Sequence, residues 1–453
     1  MSDRGSTESL SAADASNVIL DAVDQVNVFL MAGILGPGGF VAADGESDLD
    51  RLRGVVAGRL ADPSLVGLQR FSQRIGGTPR RPLWESCAPD LAWHVRRVTP
   101  VQGRDGLAAV CATLMTTPLP SRRPLWELLI VPGAIDGGTG IILRIHHAVA
   151  DGVAGVRLVQ QLFDPATVPG PRSGHSPQAR PLQPLQGRWR QVVTGASRVA
   201  AMFSVRLKPT VLLGTIGPRR GIAFGDVGLT GFADGARTAG GTVNDALLAA
   251  VAAATSATLL AVGERIPAEL PASVPVALPD RGTSGNAVGI MVVPLPLAEA
   301  DVAARIARIA ATTTAAKAEA RSQGTYELTR SRWGTRVFAF LAKRQRFIAL
   351  FVTNVRGPVQ QLTLAGAPLE RAWPVTPIQG NVRLGVSAMT YAGRLNCVAH
   401  VDADALDVNV LGGALREDLD RICALAPSGG RAVAPPARQV SLQLQRNGPP
   451  NTL

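Results

Sequence analysis

Apolar and polar positions along this chain fall into blocks that switch between helical and extended spacing. Residues 10–30 read as a first helix, with Ser11 as a cap and Asp14 three residues on. Residues 48–59 are amphipathic and predict a second helix. Residues 65–74 and 91–98 read as strands, flanking an arginine-, proline- and glycine-rich loop that contains Pro82-Leu83-Trp84. A helix over 107–115 and a strand over 124–131 follow. Residues 140–145 form a mostly apolar extended run that ends at His146-His147. After Asp151-Gly152, apolar residues return at helical spacing through Val153, Val156, Leu158, Val159, Leu162 and Phe163.

The character changes near Pro165. Residues 165–186 carry many prolines and no apolar period, which predicts a crossover linker. Beyond it the spacing predicts helices over 192–203, 246–262 and 298–320, with Asn244 or Asp245 capping the second of these. Strands are expected over 273–278 and 290–295, further elements over 336–342 and 347–352, and a hairpin of 382–389 with 395–400 about Tyr391-Ala392-Gly393. The domain reading is therefore an N-terminal lobe over 1–164, a linker over 165–191, a C-terminal lobe over 192–425 and a mobile tail over 426–453.

Composition narrows the classes. The 453 residues are 46% hydrophobic and 18% charged, an ordinary globular balance with room for two domains. The net charge of +12 suits a membrane surface or an acidic ligand. Its arginines are scattered and aromatics are only 4%, so nucleic acid is set aside. The four cysteines, Cys87, Cys111, Cys397 and Cys423, show no paired spacing, which points to no metal site and a reducing, cytoplasmic compartment. The opening residues lack the apolar core of a signal peptide. The alanine-rich run over 246–262 contains Thr255, Ser256 and Thr258 and reads as a buried helix, leaving any membrane contact peripheral.

Candidate chemistry concentrates at the two adjacent histidines, among only five in the chain. A neutral imidazole near pH 7 takes a proton from a hydroxyl and hands it on. Two histidines on an extended strand point to opposite faces, so one faces substrate. His147 is assigned as the base and His146 as its inward support. Asp151 stands at the start of the next helix and reads as structural, as a cap or an arginine partner. Gly152 is expected to allow a backbone geometry that a side chain would block.

The pattern His146-His147-x-x-x-Asp151-Gly152 is that of the CoA-dependent acyltransferase superfamily. Further stretches resemble the bacterial wax ester synthase/diacylglycerol acyltransferase family, in order and over nearly the whole chain. They include Leu10-Ser11-Ala12-Ala13-Asp14-Ala15, Leu91-Ala92-Trp93-His94-Val95, Pro124-Leu125-Trp126 and Asn244-Asp245-Ala246-Leu247-Leu248-Ala249. Later come Val274-Pro275-Val276, Gly285-Asn286, Thr353-Asn354-Val355-Arg356-Gly357-Pro358 and Thr390-Tyr391-Ala392-Gly393. The chain departs where the family has an arginine near the V-P-V block; here the next arginine is Arg281. Threonines replace serines at 353 and 390, and residues 27–33 match loosely.

The resemblance implies an α/β fold of two pseudo-equivalent chloramphenicol acetyltransferase-like lobes, each a mixed sheet with helices, with a tunnel between them. It implies transfer of a long-chain acyl group from acyl-CoA to diacylglycerol, a fatty alcohol or both, giving triacylglycerol or wax ester. Acyl-CoA is then a substrate, and no cofactor is implied. The protein would work at a membrane or lipid-droplet surface. The resemblance places Asn244, Asp245, Trp126 and Asn354 along the substrate channel. On their own these residues read as a helix cap, a core aromatic and a turn. His94 and His400 read as lone, non-catalytic histidines. The competing functions are acylation of a specialised-metabolite hydroxyl or amine, and a non-catalytic lipid-binding role.

Overall fold

The computed structural model describes residues 7–21, 25–78, 81–135, 138–150, 152–165, 206–277, 288–320, 340 and 342–427. Asp151, Arg281, Gly285-Asn286, the helix expected over 192–203, nearly all of the linker and most of the tail lie outside them.

Two mixed sheets carry the architecture. The first has seven strands, in the order Val95–Arg97, Trp126–Ile135, Gly138–His146, Val28–Leu35, Ala367–Val375, Leu362–Leu364 and Asp164–Pro165. The second has six, in the order Val288–Pro296, Glu269–Ala277, Leu350–Arg356, Leu384–Tyr391, Arg394–Asp402 and Arg220–Gly228. A small third sheet joins Thr7–Ser9, Arg81–Ser86 and Gln73–Thr78.

The strand Ala367–Val375 leaves the second lobe. Chain continuity placed it there, yet it pairs antiparallel with Val28–Leu35, Trp373 opposite Ala32 and Val375 opposite Leu30. Its outward departure completes the first sheet and covers that sheet's otherwise open edge.

The first helix also differs from expectation. It covers only Ala12–Leu20, with the Ser11 hydroxyl accepting from the Asp14 N–H at 3.1 Å. Val28–Leu35 is a strand, not a continuation of the helix. Seven of its eight residues are buried because both faces of the sheet are covered, so no alternation marks it. Met31 and Leu35 pack under the helices Leu49–Ala61 and Gly152–Leu162, whereas Val28, Leu30, Ala32 and Ile34 face the helix Gly103–Leu114. Residues 65–74 and 91–98 are likewise mixed. A 3-10 helix, Val66–Ser72, leads into Gln73–Thr78, and a single turn, Leu91–His94, precedes Val95–Arg97. The supposed loop between them holds the hairpin of Gln73–Thr78 with Arg81–Ser86.

In the second lobe the alanine-rich helix is Val243–Ala261. Its length and hydropathy of 1.5 would suffice to cross a membrane, but 67% of it is buried inside the fold. Small side chains let it pack closely against the sheet and the helix Val408–Ala424. Arg305 of the helix Val302–Ala320 ties this layer together. Its Nε donates to the Ala249 carbonyl at 3.0 Å, and its Nη2 reaches both Asp418 oxygens at 2.9 and 2.7 Å. Both side chains are at most 3% exposed. Removing one partner leaves a charge without its counter-ion in the interior, so Asp418→Ala is expected to cost about 3–5 kcal/mol in urea unfolding. Replacing both, Arg305→Met with Asp418→Leu, should recover most of that loss.

Candidate active site

The strand Gly138–His146 runs through the middle of the first sheet and ends at the histidine pair. Its neighbours fix the register: His146 stands opposite Val28, and Ile145 opposite Phe29 and Trp126. Because successive residues face opposite ways, the two imidazoles part company here.

His146 turns inward and is only 4% exposed. Its Nδ1 accepts the Ala148 N–H at 3.0 Å, which assigns the proton to Nε2. That nitrogen faces the Asp21 carboxylate at 3.5 Å. The same carboxylate accepts the Asn27 N–H at 2.8 Å. His146 is therefore built into the turn.

His147 enters the pocket. Its peptide is gripped from both sides: the N–H donates to the Asn27 carbonyl at 3.0 Å, and the carbonyl accepts from Asn17 Nδ2 at 3.1 Å. The ring lies 5.1 Å from the Phe29 ring at an angle of 57°. Among the described residues no hydrogen bond reaches a His147 ring nitrogen. The imidazole is partly exposed at the pocket wall, yet protein surrounds it densely. That desolvation, helped by the neighbouring His146, holds its pKa down at about 4. The ring is neutral at physiological pH and open to accept a proton.

The pocket occupies about 730 Å³ with its open mouth included. First-lobe residues such as Phe29, Met31, Leu143, Ile145 and Val156 form one wall. Thr353, Val355, Met389 and Tyr391 close it from the second lobe. Side chains 147, 145 and 143 descend along one face of the motif strand, so the cavity runs down the sheet from the imidazole. Val355 approaches the start of the motif helix, its Cγ2 3.7 Å from where a Gly152 Cβ would stand.

That contact is ordinary, so among the described residues nothing crowds Gly152. The tight glycine is Gly155, one turn later. A Cβ there would sit 2.8 Å from the Phe29 ring, so its bareness lets Phe29 lie between the helix and His147.

This arrangement fits a known architecture. Residues 10–205 match the wax ester synthase/diacylglycerol acyltransferase catalytic domain, and residues 284–423 match the WS/DGAT C-terminal domain. A putative diacylglycerol O-acyltransferase of Mycobacterium tuberculosis is 30% identical over 345 residues, covering 67% of this chain and 68% of that protein. The chain belongs to the wax ester synthase/diacylglycerol acyltransferase family. A second putative diacylglycerol O-acyltransferase of the same organism is 28% identical over 402 residues, 80% of this chain and 84% of the relative. The solved wax ester synthase/diacylglycerol acyltransferase of Marinobacter aquaeolei VT8 shares the fold with a TM-score of 0.69 at 19% identity, over 92% of this chain and 99% of that one. The first condensation domain of the CDA synthetase aligns at a TM-score of 0.55 and 15% identity, over 94% and 97%. As a member of this family, the protein is an acyltransferase.

The residues expected along the channel of this wax ester synthase/diacylglycerol acyltransferase family member do not line the pocket. Trp126 is fully buried, stacked 4.6 Å from Phe71 and from His94, with its Nε1 donating to the Phe71 carbonyl at 2.8 Å. Asp245 belongs to a capping box in which Thr242, not Asn244 or Asp245, is the cap. It also accepts from the Thr313 hydroxyl at 2.6 Å. Asn354 alternates away from the pocket-facing Thr353 and Val355, and meets Asn244 at 3.4 Å. Packing accounts for Trp126 and the capping box for Asp245, while the Asn244 side chain accepts from Asn354. Strand alternation turns Asn354 away.

Asn17, Asp21, Asn27, Phe29 and Gly155 shape the site without having been foreseen. One of them left a trace in the sequence. Asp21 is the C-cap of the first helix, where a carboxylate opposes the helix dipole and so needs a compensating partner.

His94 and His400 are structural. His94 Nδ1 donates to the Trp126 carbonyl and His400 Nδ1 to the Thr376 carbonyl, each at 2.7 Å. Each Nε2 is buried without a partner among the described residues, and burial lowers both pKa values to about 4. In the unfolded chain these rings protonate near pH 6.5. With folded values depressed, their contribution to stability is complete above that pH and is lost as pH falls from about 6.5 towards 4. The unfolding free energy should decline across that window. NMR of the histidine ring protons should show His94, His147 and His400 still neutral at about pH 5.5. Titration of all three near 6.5 would contradict this account of the site.

Proposed function

We propose that this acyltransferase moves a long-chain acyl group from acyl-CoA to the hydroxyl of diacylglycerol, a fatty alcohol or both, with His147 as the general base. The carrying observation is the composition of the pocket wall. Among the described residues that line it, the ionisable groups are His147 and Tyr391. The Tyr391 hydroxyl accepts the Leu362 N–H at 2.9 Å and donates to the Leu369 carbonyl at 2.7 Å, and burial pushes its pKa up to about 12. His147 alone is free to take a proton near neutrality.

The alcohol O–H gives its proton to a His147 ring nitrogen as its oxygen attacks the thioester carbon. The tetrahedral oxyanion collapses, the C–S bond breaks, and the imidazolium returns the proton to the departing thiolate. An imidazole with a pKa of about 4 is a weak base in the empty site. In the reaction the imidazolium forms beside an oxyanion in a medium of low polarity, and that mutual attraction raises its proton affinity. The Thr353 and Thr376 hydroxyls line the same pocket and have no hydrogen bond among the described residues. They are available to donate to the oxyanion.

The apolar cavity below His147 suits a fatty chain, and the family relatives named for diacylglycerol support the acceptor class. The net charge of +12 favours the phosphates of CoA and an anionic lipid surface. We assign the enzyme a cytoplasmic, peripheral place at membranes or lipid droplets, with acyl-CoA as substrate and no cofactor.

Radiolabelled palmitoyl-CoA offered with diacylglycerol or hexadecanol should yield labelled neutral lipid on thin-layer chromatography. His147→Ala should lower that yield about 10²–10⁴-fold. Thr353→Val should lower kcat by roughly 10²-fold, with Thr353→Ser largely preserved. Turnover only with an unrelated hydroxyl or amine would replace the acceptor class. Retained turnover in His147→Ala would remove the base.

A further inference from the structure

We infer that Gln379 is a positioning residue for His147, holding the base in line from the opposite half of the chain. The inference rests on His147 being the base. It starts from the fact that the His147 ring has no hydrogen bond among the described residues, so its direction depends on its peptide and on Phe29.

Asn27 is the main grip on that peptide, and it is 2% exposed. Its own amide is fully committed. Nδ2 donates to the Asn17 carbonyl at 3.0 Å and to Asn17 Oδ1 at 3.2 Å. Oδ1 accepts from Gln379 Nε2 at 2.7 Å. Asn17 in turn holds the His147 carbonyl. The bond from Gln379 is therefore one step from both hydrogen bonds that fix the catalytic turn.

Gln379 lies on the segment between Ala367–Val375 and Leu384–Tyr391. Two sets of bonds hold that segment in place. On the first-lobe side, Gln25 Nε2 donates to the Gly380 carbonyl at 2.9 Å, and the Gly380 N–H donates back to Gln25 Oε1 at 2.8 Å. On the other, Asn381 exchanges two bonds of 2.8 Å with Gln345, and the Gly214 N–H donates to the Asn381 carbonyl at 2.9 Å. Gln379 thus opens a doubly anchored turn, its carbonyl accepting the Val382 N–H at 3.2 Å, and is presented in a fixed orientation.

The polarity of the bond is fixed as well. Asn27 Nδ2 is spent on Asn17, so Oδ1 must face Gln379, and position 379 must supply a donor. Gln379→Met keeps the shape and removes the donor. Gln379→Glu keeps the shape and sets acceptor against acceptor until its carboxyl is protonated. The ionisable groups around this bond are Asp21, His146 and His147 from the first lobe, and His400 beneath Thr376 from the second.

The experiment compares wild type, Gln379→Met, Gln379→Glu and His147→Ala with a long-chain acyl-CoA and the acceptor that wild type uses. Gln379→Met should lower kcat about tenfold or more, with KM for the acyl donor changed less than about twofold, since a small misplacement of a base costs rate more than binding. Gln379→Glu should be weak at pH 8, and its rate relative to wild type should climb as pH falls and the carboxyl becomes a donor. A purely structural role would not produce that pH-dependent ratio. Asn27→Ala combined with Gln379→Met should be no slower than Asn27→Ala alone, because both act through one bond. Wild-type kcat in Gln379→Met, or a Glu-to-wild-type ratio independent of pH, overturns the inference. Should Gln379→Met fail to fold by thermal melting, the Gln379→Glu ratio decides. Retained turnover in His147→Ala instead overturns the base assignment, a separate outcome.

Discussion

The antiparallel pairing of Ala367–Val375 with Val28–Leu35 is the constraint on which the site depends. It sets Ala372 and Pro374 against the pocket that His147 enters, and leaves Trp373 on the other face against Phe224 of the second sheet. One strand therefore forms the pocket floor and joins the two sheets. Without it, Val28–Leu35 would be an exposed apolar edge, and the strand carrying the histidines would lose its outer support.

The turn that carries the two histidines shows how little of its geometry is made by side-chain chemistry. His146 is held by a backbone N–H and a carboxylate, and His147 by two hydrogen bonds to its peptide. Its ring is left without a hydrogen bond among the described residues. This is consistent with a base that must meet a proton donor supplied by the substrate. The helix Ala12–Leu20 and the loop that follows it act as a frame for that peptide.

How much of this was legible depended on whether a residue's role is written in local pattern. The Gly138–His146 strand and the following helix were readable because an extended run gives way to a 3.6-residue period across Asp151-Gly152. The hairpin about Ala392-Gly393 was readable from its turn chemistry, and Ala392 does take a positive φ of 46°. The strand Val28–Leu35 was hidden because burial on both faces removes alternation and merges it with the preceding helix. Ala367–Val375 was hidden because its partner lies more than three hundred positions away and its own sequence, APLERAWPV, alternates weakly. Asn27 and Gln379 are amides in loops, where sequence carries no period at all. Trp126 and Asp245 were matched to family blocks whose purpose here is packing and capping.

The wall below His147 is almost wholly apolar, and its tyrosine is already engaged. Away from His147, Thr353 and Thr376, such a cavity gives a stray water molecule few partners. In the proposed reaction an activated thioester whose chain rests there is thereby shielded from hydrolysis. On that proposal, selection between the alcohol and the solvent falls to the hydrocarbon tail, since an acceptor that brings one gains by entering an apolar interior.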